Sequence, residues 1–253
     1  MPLLYLHLSI AKDAADLLGH PAIGSQLGSY LGGAISPDAH FVSSASRSDT
    51  HFFDLQASEC ESGASSIFKT NPGLARGSDI DAATKSFVAG YLSHLITDEI
   101  WTLDIYRPFF GDTSPLGGDI EANTLDRLLQ YETDRWERQD KEKLALIRTE
   151  LCSWKPEVGI DFIENGALRD WLNFVCATTA REVTLGDFRL FAQHFLISRE
   201  KVGVEKLEPF LEAVPAKLDW VIEYVTPQRL QAFREKAIDR SVAVVGEYLN
   251  EDS

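Results

Sequence analysis

The chain contains, at residues 82–101, the stretch AATKSFVAGYLSHLITDEIW, which is its most apolar helix candidate. Its apolar residues are spread around the whole circumference of a helix, which is typical of a helix inside a protein core. The stretch nevertheless holds His94 and Asp98, which are four residues apart and therefore lie on one face. A buried carboxylate is costly unless a partner compensates its charge. A metal ion would be such a partner, so this stretch predicts a central helix and one side of a metal site.

Helical periodicity also dominates the rest of the chain. Residues 3–18 carry apolar residues at spacings of three, four and seven, which predicts a first amphipathic helix. Residues 22–35 are rich in glycine and predict a short or closely packed helix. Further helices are expected at residues 119–151, 160–181, 186–201, 205–225 and 227–249. The sequence has no strand periodicity or βαβ alternation, so it predicts an all-α fold, a multi-helix bundle with additional C-terminal helices.

The length of 253 residues allows one large domain or two modest ones. We expect a single all-α domain over residues 1–253, with a metal-binding core in residues 1–118 and a helical C-terminal half in residues 119–253. Residues 56–81 are rich in serine, glycine and alanine. They predict a long loop that acts as a lid over the site, since long loops in compact domains are often functional.

Composition excludes several classes of protein. The formal net charge is −15 and both halves of the chain are acidic, which argues against nucleic acid and anionic lipid surfaces as partners. No apolar run reaches the roughly 18 residues of a transmembrane helix. The N-terminus has no basic segment of a signal peptide, so a cytoplasmic location is expected. The three cysteines, Cys60, Cys152 and Cys176, are widely separated and predict buried free thiols.

Three residues upstream could join His94 and Asp98 as metal ligands. His7 lies on the apolar stripe of the first helix, Asp38 follows a proline, and His51 precedes two phenylalanines. Imidazole together with carboxylate suits zinc or another first-row divalent ion. Simpler interpretations remain open, because Asp38 could cap a turn and His51 could be a core histidine.

Four motifs follow one another in residues 3–101: a histidine on the first helix, Gly-x-x-x-Pro-Asp, Thr-His-Phe, and Gly-Tyr-Leu-Ser-His-x-x-x-Asp. In this order they resemble the zinc-dependent phospholipase C family. That family includes the bacterial phospholipase C enzymes and the catalytic domain of glycosylphosphatidylinositol phospholipase D, and it is related to the S1/P1 nucleases. The resemblance implies a first metal held by Asp38, His51, His94 and Asp98. It also implies that Asp98 bridges to a second ion, which His7 holds as well.

The chain departs from that family after Asp98. Family members place another histidine four or six residues further on, where this chain has Thr102 and Asp104. We therefore expect one or two ions rather than three, unless Glu99, Asp104 or Asp119 completes a further subsite.

The sequence thus predicts a metal-dependent hydrolase of phospholipase C-like type. A metal-bound hydroxide would attack a small-molecule or lipid-like phosphodiester or phosphomonoester, with Asp38 or Asp98 taking the proton from the water. Zinc is the expected ion, and iron or manganese is an alternative that would also permit oxidative chemistry. Arg47, Arg76 and Arg107 either clamp an anionic substrate or are surface charges. The second hypothesis is a catalytically degenerate relative that keeps a structural metal and serves as a binding protein.

Overall fold

The computed structural model describes residues 2–53, 62–76, 80–182, 184, 188, 209 and 212–250. Within these residues the regular structure is helical and contains no strand, which confirms the all-α class. The helices are α1 (Leu4–Leu18), α2 (Pro21–Ser25), α3 (Leu27–Ile35), α4 (Arg47–His51), α5 (Gly63–Thr70), α6 (Ala82–Trp101), α7 (Arg107–Phe109), α8 (Ile120–Glu137), α9 (Lys141–Ser153), α10 (Asn165–Thr179), α11 (Val214–Val225) and α12 (Pro227–Asn250). Short 3₁₀ segments occupy Ser36–Val42 and Pro72–Leu74, and a π-helical turn occupies Thr102–Tyr106.

Helix α6 is the centre of the fold, as its apolar sequence predicts. Asp81 caps its N-terminus, because the carboxylate accepts hydrogen bonds of 3.0 Å from the amides of Ala83 and Thr84. Almost every residue from Ser86 to Trp101 is buried. Helices α1, α3, α5 and α12 pack around it, so both halves of the chain contribute to the same apolar core.

Helices α3 and α6 cross at two glycines. A Cβ atom added to Gly90 would lie 1.8 Å from the carbonyl oxygen of Tyr30, and one added to Gly33 would lie 1.9 Å from that of Phe87. Only glycine permits such a close approach of two helix backbones. The crossing confirms the prediction of close packing for residues 22–35, although the region forms two helices, α2 and α3, that are interrupted at Gln26.

Helix α10 closes the fold over the 3₁₀ segment Ser36–Val42. The indole Nε1 of Trp171 donates a 2.7 Å hydrogen bond to the carbonyl of Ile35, where α3 ends. The Trp171 ring also lies 6.1 Å from that of Phe41. The C-terminal half therefore supports the segment that carries Asp38.

Two predicted boundaries are wrong. The long helix expected at residues 119–151 is two helices, because the Asp140 carboxylate accepts a hydrogen bond from the Lys143 amide and starts α9 as a new helix. The long loop expected at residues 56–81 contains α5, whose Ala64 and Ile67 are buried against the core. Residues 56–61 and 77–79 of that loop lie outside the described residues, as do most of the helix expected at 186–201 and residues 205–208, 210 and 211 of the next one.

The prediction of buried free thiols is wrong for two of the three cysteines. Cys152 at the end of α9 and Cys176 in α10 form a disulfide, with their Cα atoms 5.9 Å apart. Helices α9 and α10 pack against each other and bring the two residues together across 24 positions of sequence. Cys152 is exposed and Cys176 is half-buried, and Cys60 lies outside the described residues.

None of the helices in the described ranges combines the length and apolarity needed to cross a lipid bilayer.

Candidate metal centre

The structure brings the five predicted ligand residues together from four elements. His7 comes from α1, Asp38 from the 3₁₀ segment, His51 from α4, and His94 and Asp98 from α6. The side chains of the three histidines and Asp98 are at most 1% exposed, whereas that of Asp38 is 14% exposed. Asp98 lies in the middle, with its carboxylate oxygens 3.2 Å from His7 Nε2, 3.3 Å from His51 Nε2 and 3.6 Å from His94 Nε2.

The ring of His94 is oriented by the backbone of α3. Its Nδ1 forms a 2.8 Å hydrogen bond with the carbonyl oxygen of Ala34. A carbonyl can only accept, so Nδ1 carries a proton, and in the neutral ring Nε2 is the nitrogen that keeps a lone pair. That lone pair faces Asp98 Oδ2, and His94 Nε2 finds no hydrogen-bond partner among the described residues.

His51 repeats this arrangement on α4. Its Nδ1 lies 3.2 Å from the carbonyl oxygen of Arg47, one turn earlier in the same helix. Its Nε2 faces Asp98 Oδ2 and, at 3.6 Å, Asp38 Oδ1. Within the described part of the chain this buried nitrogen likewise makes no hydrogen bond. Asp38 therefore faces the cluster from the first turn of the 3₁₀ segment. The residue at the N-cap of that segment is Ile35, so the simpler interpretation of Asp38 as a cap is not supported.

His7 completes the group from α1. Its ring stacks on that of His94, with centroids 3.8 Å apart and planes 6° from parallel. Its Nε2 is 3.2 Å from Asp98 Oδ1, yet neither of these two atoms is hydrogen-bonded within the described residues. Two protonated imidazoles would repel each other at this distance, so the stack favours at least one neutral ring.

These positions fit a bound cation. The ligand atoms of His7, His94 and Asp98 all lie within 4.8 Å of one another, and so do those of Asp38, His51 and His94. Zinc bonds of 2.0–2.1 Å in tetrahedral geometry put neighbouring ligand atoms roughly 3.4 Å apart. The measured separations around Asp98 are of this size. Buried lone pairs that face a carboxylate without a hydrogen between them are destabilising unless a cation lies there.

The pKa shifts of the cluster also fit a bound cation. Burial alone would raise the pKa of Asp98, but the neighbouring imidazoles, His94 first, hold that pKa well below its usual range. Burial also opposes the charge on Asp38, but the nearby imidazoles of His51 and His94 hold its pKa far below the usual range. Burial and the nearby His94 lower the pKa of His7. Burial opposes a charge on His94 as well, but Asp98 raises its pKa, so the centre attracts a positive charge.

Arg47, one of the three arginines considered as a clamp for an anionic substrate, belongs to the cluster. Its Nη2 lies 3.2 Å from Asp98 Oδ2, its guanidinium is 4.9 Å from the ring centroid of Phe53, and its side chain is only 22% exposed. A capping box at Ser46 and Asp49 begins α4 and puts Arg47 and His51 one turn apart on one face. The pattern Ser46-x-x-Asp49 is typical of a helix N-terminus, so it could have predicted that Arg47 and His51 share a helix face.

The hydroxyl of Tyr91 holds the segment that carries His51. It donates a hydrogen bond to the carbonyl of Thr50, which fixes α4 against α6 next to His51.

The three carboxylates considered for a further subsite lie elsewhere. Glu99 accepts a 2.9 Å hydrogen bond from Ser62, Asp104 pairs with Lys236 at 2.7 Å, and Asp119 caps α8 through the amide of Ala122 at 2.8 Å. Among the described residues, the groups that could hold a metal are formed by the five predicted residues alone.

Comparison of the chain with protein-family models, with curated proteins and with solved structures finds no match.

Proposed function

We propose that this chain is a metal-dependent hydrolase that acts on phosphoesters, with zinc as the ion and a phospholipase C-like arrangement of ligands. One observation carries the proposal. Three buried Nε2 atoms, of His7, His51 and His94, point at one buried carboxylate with no hydrogen bond among the described residues to account for them.

Each residue would have a defined role. His7, His51, His94, Asp38 and Asp98 would hold the ion, and the carbonyls behind His51 and His94 would keep their rings in the ligating tautomer. A divalent ion supplies a Lewis acid that makes water nucleophilic near neutral pH and polarises a phosphoryl oxygen. Asp38 is the better of the two candidate bases, because it is the only partly exposed carboxylate of the cluster, whereas Asp98 is surrounded by imidazoles.

The approach to the centre suits an anionic group. Arg47 and Asp38 are the members of the cluster whose side chains reach solvent. A guanidinium can bind a phosphoryl group through two parallel hydrogen bonds. The expected substrate is therefore a small-molecule or lipid-like phosphodiester or phosphomonoester, and the acidic chain disfavours nucleic acid.

The cytoplasmic location expected from the sequence stays a prediction. The Cys152–Cys176 disulfide argues against it, because disulfides persist mainly in oxidising compartments.

Elemental analysis combined with a hydrolysis assay tests the proposal. Purified wild-type protein, His94→Ala and His20→Ala would be analysed for bound metal and assayed on a panel of phosphodiesters and phosphomonoesters. His20 is the matched control, since its ring caps α2 at the amide of Ala22, outside the cluster. We expect wild type and His20→Ala to hold metal and hydrolyse, and His94→Ala to lose both. Metal-free wild type, or hydrolysis untouched by His94→Ala, would refute the proposal.

A second function, binding by a catalytically idle protein with a structural ion, is favoured by the burial of four of the five ligand residues. Structural zinc sites are closed, whereas catalytic sites keep an open position. Metal content without hydrolysis across the whole panel would select this function. If elemental analysis found iron or manganese in place of zinc, an oxidative reaction would become the hypothesis to test.

A further inference from the structure

Arg47 brings a permanent positive charge to the centre. Its ion pair with Asp98 Oδ2 measures 3.2 Å, and the ring of Phe53 lies against the guanidinium. Since a guanidinium does not lose its proton in proteins, this charge is present at every relevant pH.

The ligand atoms suffice for one ion. The two groups that could hold a metal share His94, which has a single lone pair at Nε2 because Nδ1 donates to Ala34. An ion held by Asp38, His51 and His94 would leave His7 Nε2 and Asp98 Oδ1 as the side-chain atoms for another, because Arg47 pairs with Asp98 Oδ2. Two ligands are fewer than the three protein ligands usual in catalytic zinc sites. Without the guanidinium both oxygens of Asp98 would be available to a second ion.

The charges also balance with one ion. Asp38 and Asp98 contribute two negative charges, which one divalent ion neutralises, and Arg47 then leaves a single positive charge. A second divalent ion would raise this excess to three. Glu99, Asp104 and Asp119, which could offset it, are bound to other partners. Like charges repel strongly in a buried, weakly screened site.

From these two counts we propose that Arg47 takes the place of a second metal ion and limits the centre to one divalent ion per chain. This inference rests on the proposed function, because it presupposes that the centre binds metal. It differs from the arrangement implied by the family resemblance, in which Asp98 bridges two ions.

Zinc stoichiometry tests the inference. Wild type, Arg47→Leu, Arg47→Lys and Arg135→Leu would be dialysed against zinc, analysed for zinc per chain, and titrated in competition with a chromophoric chelator. Leucine removes the charge and offers no ligand atom, whereas lysine keeps the charge. Arg135 is the matched control, a partly buried arginine that pairs with Glu132 within α8. We expect one zinc per chain in wild type, Arg47→Lys and Arg135→Leu, and a second zinc in Arg47→Leu with an affinity at least about tenfold above any second site of wild type.

Each outcome separates the inference from the proposed function. Two zinc ions in wild type, or a single ion in folded Arg47→Leu, would overturn the inference while leaving a metal-binding protein. No zinc in any of the four proteins would overturn the proposed function itself.

Electron paramagnetic resonance of manganese-loaded wild type gives an answer that does not depend on the folding of a variant. We expect the signal of isolated ions. The spectrum of a coupled pair would contradict the inference.

Discussion

Helix α1 contributes to two polar regions of the interior, and their hydrogen bonding differs. On one side His7 enters the candidate metal centre. On another, Ser9 and Asp13 enter an ion-pair network with residues of α8, α9 and α12. Both regions are largely buried and both contain two carboxylates.

The network contains its own counter-charges. Arg234 binds Glu137 through Nε at 2.6 Å and also pairs with Asp13, while Lys143 lies 2.8 Å from the other oxygen of Asp13. Ser9 donates to Glu137. The four charges sum to zero, and every buried side-chain nitrogen and oxygen of these five described residues has a hydrogen-bond partner.

The candidate metal centre lacks this balance. Asp38 and Asp98 face one guanidinium and three imidazoles, and four buried atoms of the imidazoles and one of Asp98 have no hydrogen bond among the described residues. Buried polar groups in folded proteins are nearly always satisfied. The network is thus a structural element complete in itself, whereas the unsatisfied atoms of the centre lie where the proposed cation would bind.

Removal of metal should show the largest difference between the two regions. Metal-loaded wild type, at a free ion concentration of about 1,000 times Kd, should lose roughly 4 kcal/mol of unfolding free energy on chelation. The reason is that only the folded chain assembles the ligands. Thermal unfolding with and without chelator measures the effect.

The variant His94→Ala serves as the reference for chelation, since it should unfold at the same temperature in both conditions. Equal melting temperatures of wild type with and without chelator would mean that the unsatisfied atoms do not bind an ion under these conditions.

The second largest effect is expected from a substitution at the glycine crossing of α3 and α6. A methyl group in Gly90→Ala would overlap the carbonyl of Tyr30, which belongs to a helix backbone and cannot rotate away. The two helices must separate, so we expect a loss of about 3 kcal/mol, at the upper end for overpacked cores. Metal affinity should also fall, because α3 carries the Ala34 carbonyl that orients His94.

Urea unfolding and zinc titration measure both effects of Gly90→Ala. The control is Gly166→Ala in α10, where an added Cβ meets nothing within 4 Å. It should be neutral or slightly stabilising, since alanine favours helix over glycine. Equal stability of Gly90→Ala and wild type would contradict the close crossing.

Features that depend on neighbouring residues, such as the ends of helices, were mostly predicted from the sequence. Both ends of α6 were predicted, and those of α1 and α12 to within one residue, because helical periodicity is a property of neighbouring residues. The start of α9 at Asp140 was missed, although its cap is also local, because the charged pattern continues across it.

Features that depend on packing between distant segments could not be read from the sequence. The Cys152–Cys176 pair requires α9 to lie beside α10, and the orientation of His94 requires the α3 carbonyl of Ala34. The ion pair of Arg47 with Asp98 joins residues 51 positions apart. The five predicted ligand residues do converge, and their role as metal ligands stays a prediction.

The smallest loss of unfolding free energy is expected from a substitution in the ion-pair network of Asp13, Glu137, Lys143 and Arg234. Arg234→Met removes the cation between Asp13 and Glu137, whose side chains are 23% and 15% exposed. Exposed pairs contribute 0–1 kcal/mol, and breaking a fully buried pair costs 3–5 kcal/mol. The partial exposure here places the expected loss at about 2 kcal/mol, measured by urea unfolding.

The metal content of Arg234→Met decides whether the two regions are independent. We expect it to equal that of wild type, because the contacts of Arg234 are with Asp13 and Glu137 and not with a candidate ligand. Arg240→Met, an exposed position of the same helix, should change stability by no more than about 0.5 kcal/mol. If Arg234→Met lost its metal while remaining folded, the polar regions on α1 would be coupled, and the pairing in the network would help to position His7 rather than only stabilise the fold.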